Sequence, residues 1–149
     1  EDYDLFYRLN EDGLVMGHLN ENLVSVRVSD KSTTIRTNKK IFDKYAYLIK
    51  EKSFRSFKEN ESIYIWGAGE FGASVLEILI ENGWTIKGFF DSDKNKQGRF
   101  INGYEIITPA IDHSKKCKVI IASQPGMFQI VEYLKQYNYE LEDDFMVFR

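Results

Sequence analysis

The chain has 149 residues, 43% of them hydrophobic, and a formal net charge of −3 at pH 7. A chain of this length can bury one substantial core but has no room for two large domains. The acidic balance offers no basic patch for a phosphate backbone, so nucleic acid is not expected as a partner. The single cysteine, Cys117, cannot form an internal disulfide or a cysteine-built metal site, which is typical of proteins in a reducing compartment.

No apolar run approaches the roughly 20 residues that cross a bilayer, and no signal-like segment opens the sequence. We therefore expect a cytoplasmic protein without a transmembrane segment. The sequence begins with "EDYDLFYRL", without a methionine and already inside an amphipathic pattern. This start predicts that the chain is part of a longer polypeptide, whose upstream part would be one of its partners.

The first 57 residues predict an appendage to a larger domain. A helix is expected from about Tyr3 to Asn10, ended by Gly13. Two strands follow, "LVMGHL" and "NLVSVRVS", and a polar stretch then leads into a helix from about Lys40 to Phe57. Because this segment is too short to form its own core, we place a domain boundary at about residues 58–62, which gives domains 1–57 and 62–149.

From Ile63 onward the sequence alternates between strand and helix patterns. The predicted strands are "IYIW", "TIKGFF", "YEII", "KVIIAS" and "FMVF". Helices are predicted at about 70–82, after Pro109, and at about 127–137. This alternation indicates βαβ units, so we predict an α/β fold with a Rossmann-like doubly wound parallel sheet of about five strands. Two apolar helix faces should cover the sheet: Phe71, Val75, Ile78 and Leu79 in one helix, and Phe128, Val131 and Leu134 in the other.

The sequence Gly67-Ala68-Gly69-Glu70-Phe71-Gly72 joins the first predicted strand to the first of these helices, and it has the G-x-G-x-x-G spacing. The first glycine permits a tight turn, the second lets a ligand approach the backbone, and the third lets the helix pack closely on the strand. The N–H groups and the positive end of the helix then favour a phosphate. The predicted binding residues are Gly67, Gly69, Glu70, Phe71, Gly72, Asp91 and Ser123.

Three of these residues depend on particular arguments. Asp91 follows the second predicted strand, where an acid can read a ribose hydroxyl. Ser123 and Gln124 follow the strand "KVIIAS" and should face the same crevice, because ligands of open α/β sheets lie beyond the carboxyl ends of the strands. Glu70 suits the helix dipole but competes with a bound phosphate for the same N–H groups. An empty turn without a nucleotide remains the alternative.

Other chemistry finds little support in the sequence. There is no Tyr-x-x-x-Lys pair, so the acid/base couple of short-chain sugar oxidoreductases is absent. His18 and His113 are isolated, and no metal site is predicted. The "DSD" at residues 91–93 is better explained as a strand-end acid followed by a solvated turn than as a metal-binding motif.

Two family resemblances extend this interpretation. Residues 62–149, with "IYIWGAGEFG", "GFFDSDKNKQGRFINGYEIITP" and "VIIAS", resemble the Rossmann-like domain of bacterial polysaccharide-biosynthesis sugar-nucleotide enzymes. Residues 1 to about 37 resemble the C-terminal end of a family 2 inverting glycosyltransferase of the GT-A type, through "EDYDLFYRL" and "ENLVSVRVSDKSTT". The second resemblance implies that Asp2 matches the general base that deprotonates the acceptor hydroxyl.

The combined prediction is the C-terminal portion of a glycosyltransferase of surface-polysaccharide biosynthesis, with an accessory domain that binds a nucleotide or nucleotide sugar. The ligand at the glycine turn would be a UDP-sugar or NAD(P). Because the donor-binding part of a glycosyltransferase precedes the Glu-Asp helix, the chain alone should not transfer sugar. The alternatives are an NAD(P)-binding domain of the sugar-nucleotide oxidoreductase or epimerase type, and a non-catalytic interaction or dimerisation module with an empty Rossmann turn. A homodimer is a further possible assembly of this chain.

Overall fold

A computed structural model describes residues 2–15, 17, 21, 23, 24, 39–57, 62–111 and 116–148. The chain divides into two compact units, residues 1–49 and 50–149. The predicted domain boundary at about residues 58–62 stays a prediction. Among the described residues, no helix combines the length and the apolar character that a membrane crossing requires.

The first unit contains helix α1, Asp2–Glu11, and helix α2, Lys39–Ile49. Gly13 follows α1 with a φ of +79°, a left-handed conformation that suits the glycine stop expected there. The predicted strand pair and the polar stretch after it fall largely outside the described residues.

The helix predicted from Lys40 to Phe57 is wrong as a single element. It is two helices, α2 and then α3, Glu51–Phe57, which belongs to the second unit. Lys50 lies in a turn between them. Its ammonium donates to the carbonyl oxygens of Val147 and Phe148, at 3.2 and 3.3 Å, a long-range contact that no local helix pattern could reveal.

The second unit is built on a six-stranded sheet with the order β3-β4-β2-β1-β5-β6. The pairs β2–β4, β1–β2, β1–β5 and β5–β6 are parallel, which confirms the predicted α/β fold of Rossmann type. The strand bounds are β1 Ile63–Trp66, β2 Ile86–Phe90, β3 Phe100–Ile101, β4 Tyr104–Ile107, β5 Lys118–Ile121 and β6 Phe145–Val147.

The short antiparallel strand β3 is the one that the sequence pattern does not predict. It pairs with β4 through Phe100–Glu105 and Ile101–Tyr104. Asn102 and Gly103 turn the chain between the two strands with φ values of +49° and +85°. Two consecutive positive φ values are the requirement of the tightest hairpin turns, so this turn, rather than a long β pattern, adds the sixth strand.

Helices α4, Glu70–Glu81, and α5, Met127–Gln136, pack against the sheet. The predicted apolar face of α4 is confirmed: Val75, Ile78 and Leu79 are buried, as is Leu76, and the half-buried Phe71 packs against Phe148.

The predicted face of α5 is wrong at one position, because the Phe128 side chain is 73% exposed. The buried residues of α5 are Ile130 and Leu134, and the half-buried Met127 and Val131 pack with them. These four positions form the i, i+3, i+4, i+7 stripe, which is more apolar than the face that includes Phe128. The helix predicted after Pro109 falls largely on residues 112–115, which lie outside the described part, and the flanking residues 109–111 and 116–117 are not helical.

The two helices lie against opposite faces of the sheet. Trp66, Phe90 and Ile121 belong to the apolar cluster that includes Ile130 and Leu134 of α5. Phe89, the neighbour of Phe90, faces the other side, where its ring lies beside Gly72 of α4. Since side chains alternate along a strand, these contacts assign one face to α5 and the other to α4.

Candidate functional site

The three strand ends that form the candidate site are adjacent at the carboxyl edge of the sheet. Trp66 ends β1 and is in register with Phe90 of β2 and Ile121 of β5. From β1 the chain leads to β2 on one side, and from β5 it leads to β6 on the other. The gap between β1 and β5 is therefore the point at which the strand order reverses, where open α/β sheets bind ligands.

Gly67 and Gly72 are required by contacts inside the domain. Gly67 has a φ of +124°, and an ideal Cβ there would lie 2.4 Å from the carbonyl oxygen of Ala122. An ideal Cβ on Gly72 would lie 1.8 Å from the carbonyl oxygen of Gly67. A side chain at either position would overlap backbone atoms, so these glycines permit the turn and the close packing of α4 that the sequence predicts.

Gly69 differs from both of its neighbours in the motif. It is the N-cap of α4, with φ −114° and ψ −172° and no side-chain cap, and an ideal Cβ there would meet no atom within 4 Å. The first N–H groups of a helix have no acceptor within the helix. The space into which a side chain at position 69 would point is therefore empty. The exposed Glu70 is the first residue of the same helix.

Asp91 follows β2 directly and is only 9% exposed. Its Oδ2 accepts hydrogen bonds from the N–H of Ala68 and from Nζ of Lys96, both at 2.9 Å, and its Oδ1 accepts one from the N–H of Asp93, also at 2.9 Å. Burial by itself raises the pKa of Asp91, but the hydrogen bonds from Asp93, Lys96 and Ala68 outweigh burial and lower it. Asp91 is therefore a carboxylate that fastens the loop after β2 to the glycine turn.

A groove runs along this edge in three joined compartments. The glycine-turn compartment, about 290 Å³, is lined by residues 67–71 and 122–125 together with Asp91 and Lys96. The central compartment, about 450 Å³, shares Gly67, Asp91 and Ser123 with it. The distal compartment, also about 450 Å³, shares Trp66, Ser92, Gln129 and Ile130 with the central one and extends to Gln97, Thr108 and Tyr133. The volumes of the central and distal compartments are in the range of small-molecule sites, and that of the glycine-turn compartment is close to its lower end.

The predicted site residues are thus brought together around one compartment. Gly67, Gly69, Glu70, Phe71, Asp91 and Ser123 all line the glycine-turn compartment, as does Gln124. Gly72 lies behind it and is buried against Gly67. The Phe71 ring packs edge-on against the Phe148 ring, with centroids 6.0 Å apart. Whether these residues bind a ligand stays a prediction.

Lys96 is the residue that the sequence reasoning missed. It lies in the turn-rich stretch "DSDKNKQG", where nothing in the pattern separates it from Lys94. The structure places its ammonium 2.9 Å from Asp91 Oδ2, with 38% of its side chain exposed. Its proximity to the glycine turn depends on how the loop after β2 folds back, which is a tertiary contact.

The remaining candidates belong to the first unit or lie outside the described residues. Asp2 is the first residue of α1, and its role as a general base stays a prediction. His18 and His113 lie outside the described residues. Over the described ranges, no group of three or more His, Cys, Asp or Glu side chains is arranged to hold a metal ion.

Comparison with known proteins identifies the family of the second unit. A family model described as "C2185-like, N-terminal" matches residues 59–143, which is more than half of the chain. The chain therefore belongs to the C2185-like family through this N-terminal type of domain. No curated protein matches the sequence.

Several solved structures are similar at low identity. A UDP-D-quinovosamine 4-dehydrogenase from Vibrio fischeri is 24% identical, with 54% of this chain and 75% of that chain covered and a TM-score of 0.42. RSP, a Rex-family repressor, is 13% identical, with 98% and 81% covered and a TM-score of 0.47. RSP in complex with β-NAD⁺ and operator DNA is 16% identical, with 67% and 55% covered and a TM-score of 0.46.

Similarity at this level carries no argument about the ligand or the partners of this chain. The expectation that nucleic acid is not a partner therefore stays a prediction. The resemblance of residues 1 to about 37 to a glycosyltransferase gains no support from these comparisons.

Proposed function

We propose that the second unit binds a nucleotide or nucleotide sugar that carries a diphosphate, with the diphosphate at the N-terminus of α4 beside Gly69. The observation that carries this proposal is the difference between the three glycines. Contacts inside the domain account for Gly67 and Gly72, whereas an ideal Cβ on Gly69 would meet nothing within 4 Å.

Within the described part of the domain, no contact accounts for the glycine at position 69. Its φ of −114° is open to any residue, and Ser, Asn or Asp would cap the helix better. Glycine at such a position is useful when a group from outside the chain must approach the backbone closely. The first N–H groups of a helix have no acceptor within the helix, and together with the positive end of the α4 dipole they make a phosphate the best candidate for that group.

The rest of the ligand would occupy the groove beyond the glycine turn. The distal compartment combines the apolar surfaces of Ile130 and Tyr133 with the amide of Gln129 and with Gln97 and Thr108, whose hydroxyl donates to the Gln97 side-chain oxygen at 2.9 Å. Aromatic surface with a few hydrogen-bonding groups suits a nucleobase or a sugar. Both NAD(P) and a UDP-sugar contain such groups next to a diphosphate, so they are the two ligands that we would test first.

The function proposed for this unit is binding rather than catalysis. No Tyr-x-x-x-Lys pair is present in the sequence. The further proposal, that residues 1 to about 37 are the end of a family 2 glycosyltransferase with Asp2 as the general base, depends on the sequence resemblance alone. It would be tested by the reading frame upstream of Glu1, where the absence of an α/β domain with a D-x-D motif would refute it.

The binding proposal is tested by thermal-shift and calorimetric titration with NAD⁺, NADP⁺, UDP and UDP-sugars. A ligand that binds the folded state at a hundredfold excess over its Kd stabilises it by about 2.7 kcal/mol. We expect at least one of these nucleotides to raise the melting temperature. If none does so at millimolar concentration, the binding proposal is wrong.

The variant Gly69→Val tests where the nucleotide binds. Its side chain would project into open space, so the fold should persist while the approach of a phosphate is blocked. Gly17→Val is a matched control, because an ideal Cβ on Gly17 also meets nothing within 4 Å and Gly17 lies in the first unit. We expect Gly69→Val to lose the nucleotide shift and Gly17→Val to keep it. A shift that survives in Gly69→Val would place the nucleotide elsewhere.

A further inference from the structure

The loop that follows β2 places a lysine beside the glycine turn. The Asp91 carboxylate accepts a hydrogen bond from the N–H of Asp93. The Asp93 carboxylate accepts hydrogen bonds from the backbone N–H and the side-chain amide of Asn95. Gln97 donates its side-chain amide to the Asp91 carbonyl oxygen at 3.0 Å. These contacts fix the loop on both sides of Lys96, so its side chain is directed to the glycine-turn compartment by an ordered backbone.

Asp91 has little capacity left for a ligand. A carboxylate offers about four acceptor positions, and three donors from Ala68, Asp93 and Lys96 already occupy three of them. The residue is also buried. These contacts disfavour the sequence-based hypothesis that Asp91 reads a ribose hydroxyl, and they favour a positioning role, in which Asp91 holds both the glycine turn and Lys96.

The charges around the glycine-turn compartment point to Lys96 instead. Glu70 and Asp91 are acidic, and Lys96 is the one cation among the described residues that line this compartment. A diphosphate would add further negative charge next to these two acids. An ammonium has three donors, so Lys96 can keep its bond to Asp91 and still direct donors to a phosphate oxygen.

We propose that Lys96 is the cation that contacts the diphosphate, and that Asp91 positions it. This inference rests on the proposed function, since it requires a phosphate at the glycine turn. It extends that proposal by naming a residue outside the glycine motif as a determinant of affinity for the charged part of the ligand. It also predicts that the affinity for phosphate-free nucleosides does not depend on this lysine.

The test compares Lys96→Gln with Lys87→Gln in calorimetric titrations with UDP and NAD⁺, and with uridine and adenosine as phosphate-free counterparts. Lys87 is the matched control, because it is an exposed lysine of β2 in the same unit and lines none of the three compartments. We expect Lys96→Gln to weaken the binding of the diphosphate ligand about tenfold and Lys87→Gln to change it less than about twofold. Lys96→Arg keeps the charge and should retain most of the affinity. The binding constant of the wild-type protein should fall more steeply with salt concentration than that of Lys96→Gln.

The outcomes separate this inference from the proposed function. If the wild-type protein binds a nucleotide and Lys96→Gln binds it equally well, the role of Lys96 is refuted and the nucleotide site stands. An equal loss of nucleoside affinity in Lys96→Gln would mean that the lysine is structural, which also refutes its role at the phosphate. If Lys96→Gln does not fold, the role of Lys96 is tested by the affinity of Lys96→Arg and by the salt dependence of binding to the wild-type protein. Wild-type binding that is independent of salt concentration refutes the role. If the wild-type protein binds no nucleotide, the proposed function fails and this inference fails with it.

Discussion

The change Gly72→Ala should destabilise the domain strongly, although it adds one methyl group. An ideal Cβ at this position would lie 1.8 Å from the Gly67 carbonyl oxygen and 3.0 Å from its carbonyl carbon. Ordinary contacts between carbon and oxygen are about 3.3–3.6 Å, so the two segments would have to separate by more than about 1 Å. Both contacted atoms belong to the backbone, and no change of rotamer can relieve the overlap.

The magnitude follows from the cost of overpacking a core. Such changes typically cost about 1–3 kcal/mol, and more where the backbone has to move. We expect Gly72→Ala to lower the free energy of unfolding by about 3 kcal/mol, a large part of the 5–15 kcal/mol that stabilises a typical domain. For a unit of about 100 residues this loss corresponds to a decrease in melting temperature of at least roughly 12 °C.

Gly69→Ala is the matched control, with the same chemical change three residues earlier. Its Cβ would meet nothing within 4 Å, and the conformation at this position is open to alanine. The poorer capping by alanine and the lower entropy of its unfolded chain act in opposite directions. We expect the free energy of unfolding to stay within about 1 kcal/mol of the wild-type value.

Urea unfolding followed by tryptophan fluorescence measures both variants. The two tryptophans, Trp66 and Trp84, are 4% and 5% exposed and both lie in the second unit, so their emission reports on this unit. If Gly72→Ala unfolds within about 0.5 kcal/mol of Gly69→Ala, far below the overpacking cost, the close contact between α4 and the glycine turn does not constrain the domain and this reasoning is wrong.

Two further predictions concern the charges at the same edge of the sheet. Glu70→Gln removes a carboxylate that both complements the α4 dipole and competes with a phosphate, so it should lower the free energy of unfolding by about 0.3–1 kcal/mol and raise the affinity for a diphosphate nucleotide roughly two- to fivefold. Urea unfolding checks the expected decrease in stability, and nucleotide titration of the same preparation checks the expected increase in affinity. A fall in affinity would contradict the proposed phosphate position. The pKa of Asp91 is lowered because its three hydrogen bonds outweigh the opposing effect of burial, so the stability it contributes is fully present above the unfolded-state pKa of about 3.9 and is lost as the pH falls through the lower folded-state value. Urea unfolding from about pH 5 to pH 2 should therefore show a steeper loss for the wild-type protein than for Asp91→Asn, and parallel profiles would rule out this contribution.

Much of the fold could be predicted from the sequence, because its strongest signals are local. The strand "IYIW" before the glycine turn and the helix after it are continuous patterns, and the structure places them at Ile63–Trp66 and Glu70–Glu81. The same holds for the position of Asp91 at the end of β2. The sheet order then brings the glycine turn and the residues after β5 to one edge, as the strand alternation predicted.

The features that could not be predicted depend on contacts between distant residues. The exposure of Phe128 depends on which of two apolar stripes packs against the sheet. Strand β3 is the exception, because the Asn102-Gly103 dipeptide that joins it to β4 is a local hairpin signal, which the search for longer strand patterns overlooked. The hydrogen bonds that Asp91 accepts from Ala68 and Lys96 join segments on either side of it in the chain, so the sequence pattern could not reveal them. The prediction that Asp91 contacts a ligand stays untested.

The three glycines of one motif therefore have separate physical causes, and this separation makes the proposed function testable. If the motif were only a tight turn, internal contacts would exclude a side chain at Gly67 and Gly72 and would allow one at Gly69. Substitution of any of the three glycines would then change only the free energy of unfolding. If the motif also binds a diphosphate, substitution of Gly69 affects binding while the fold persists, and substitution of Gly72 acts first on stability. A position at which stability and binding respond independently distinguishes a ligand site from a folding element, and we predict that Gly69 is that position in this domain.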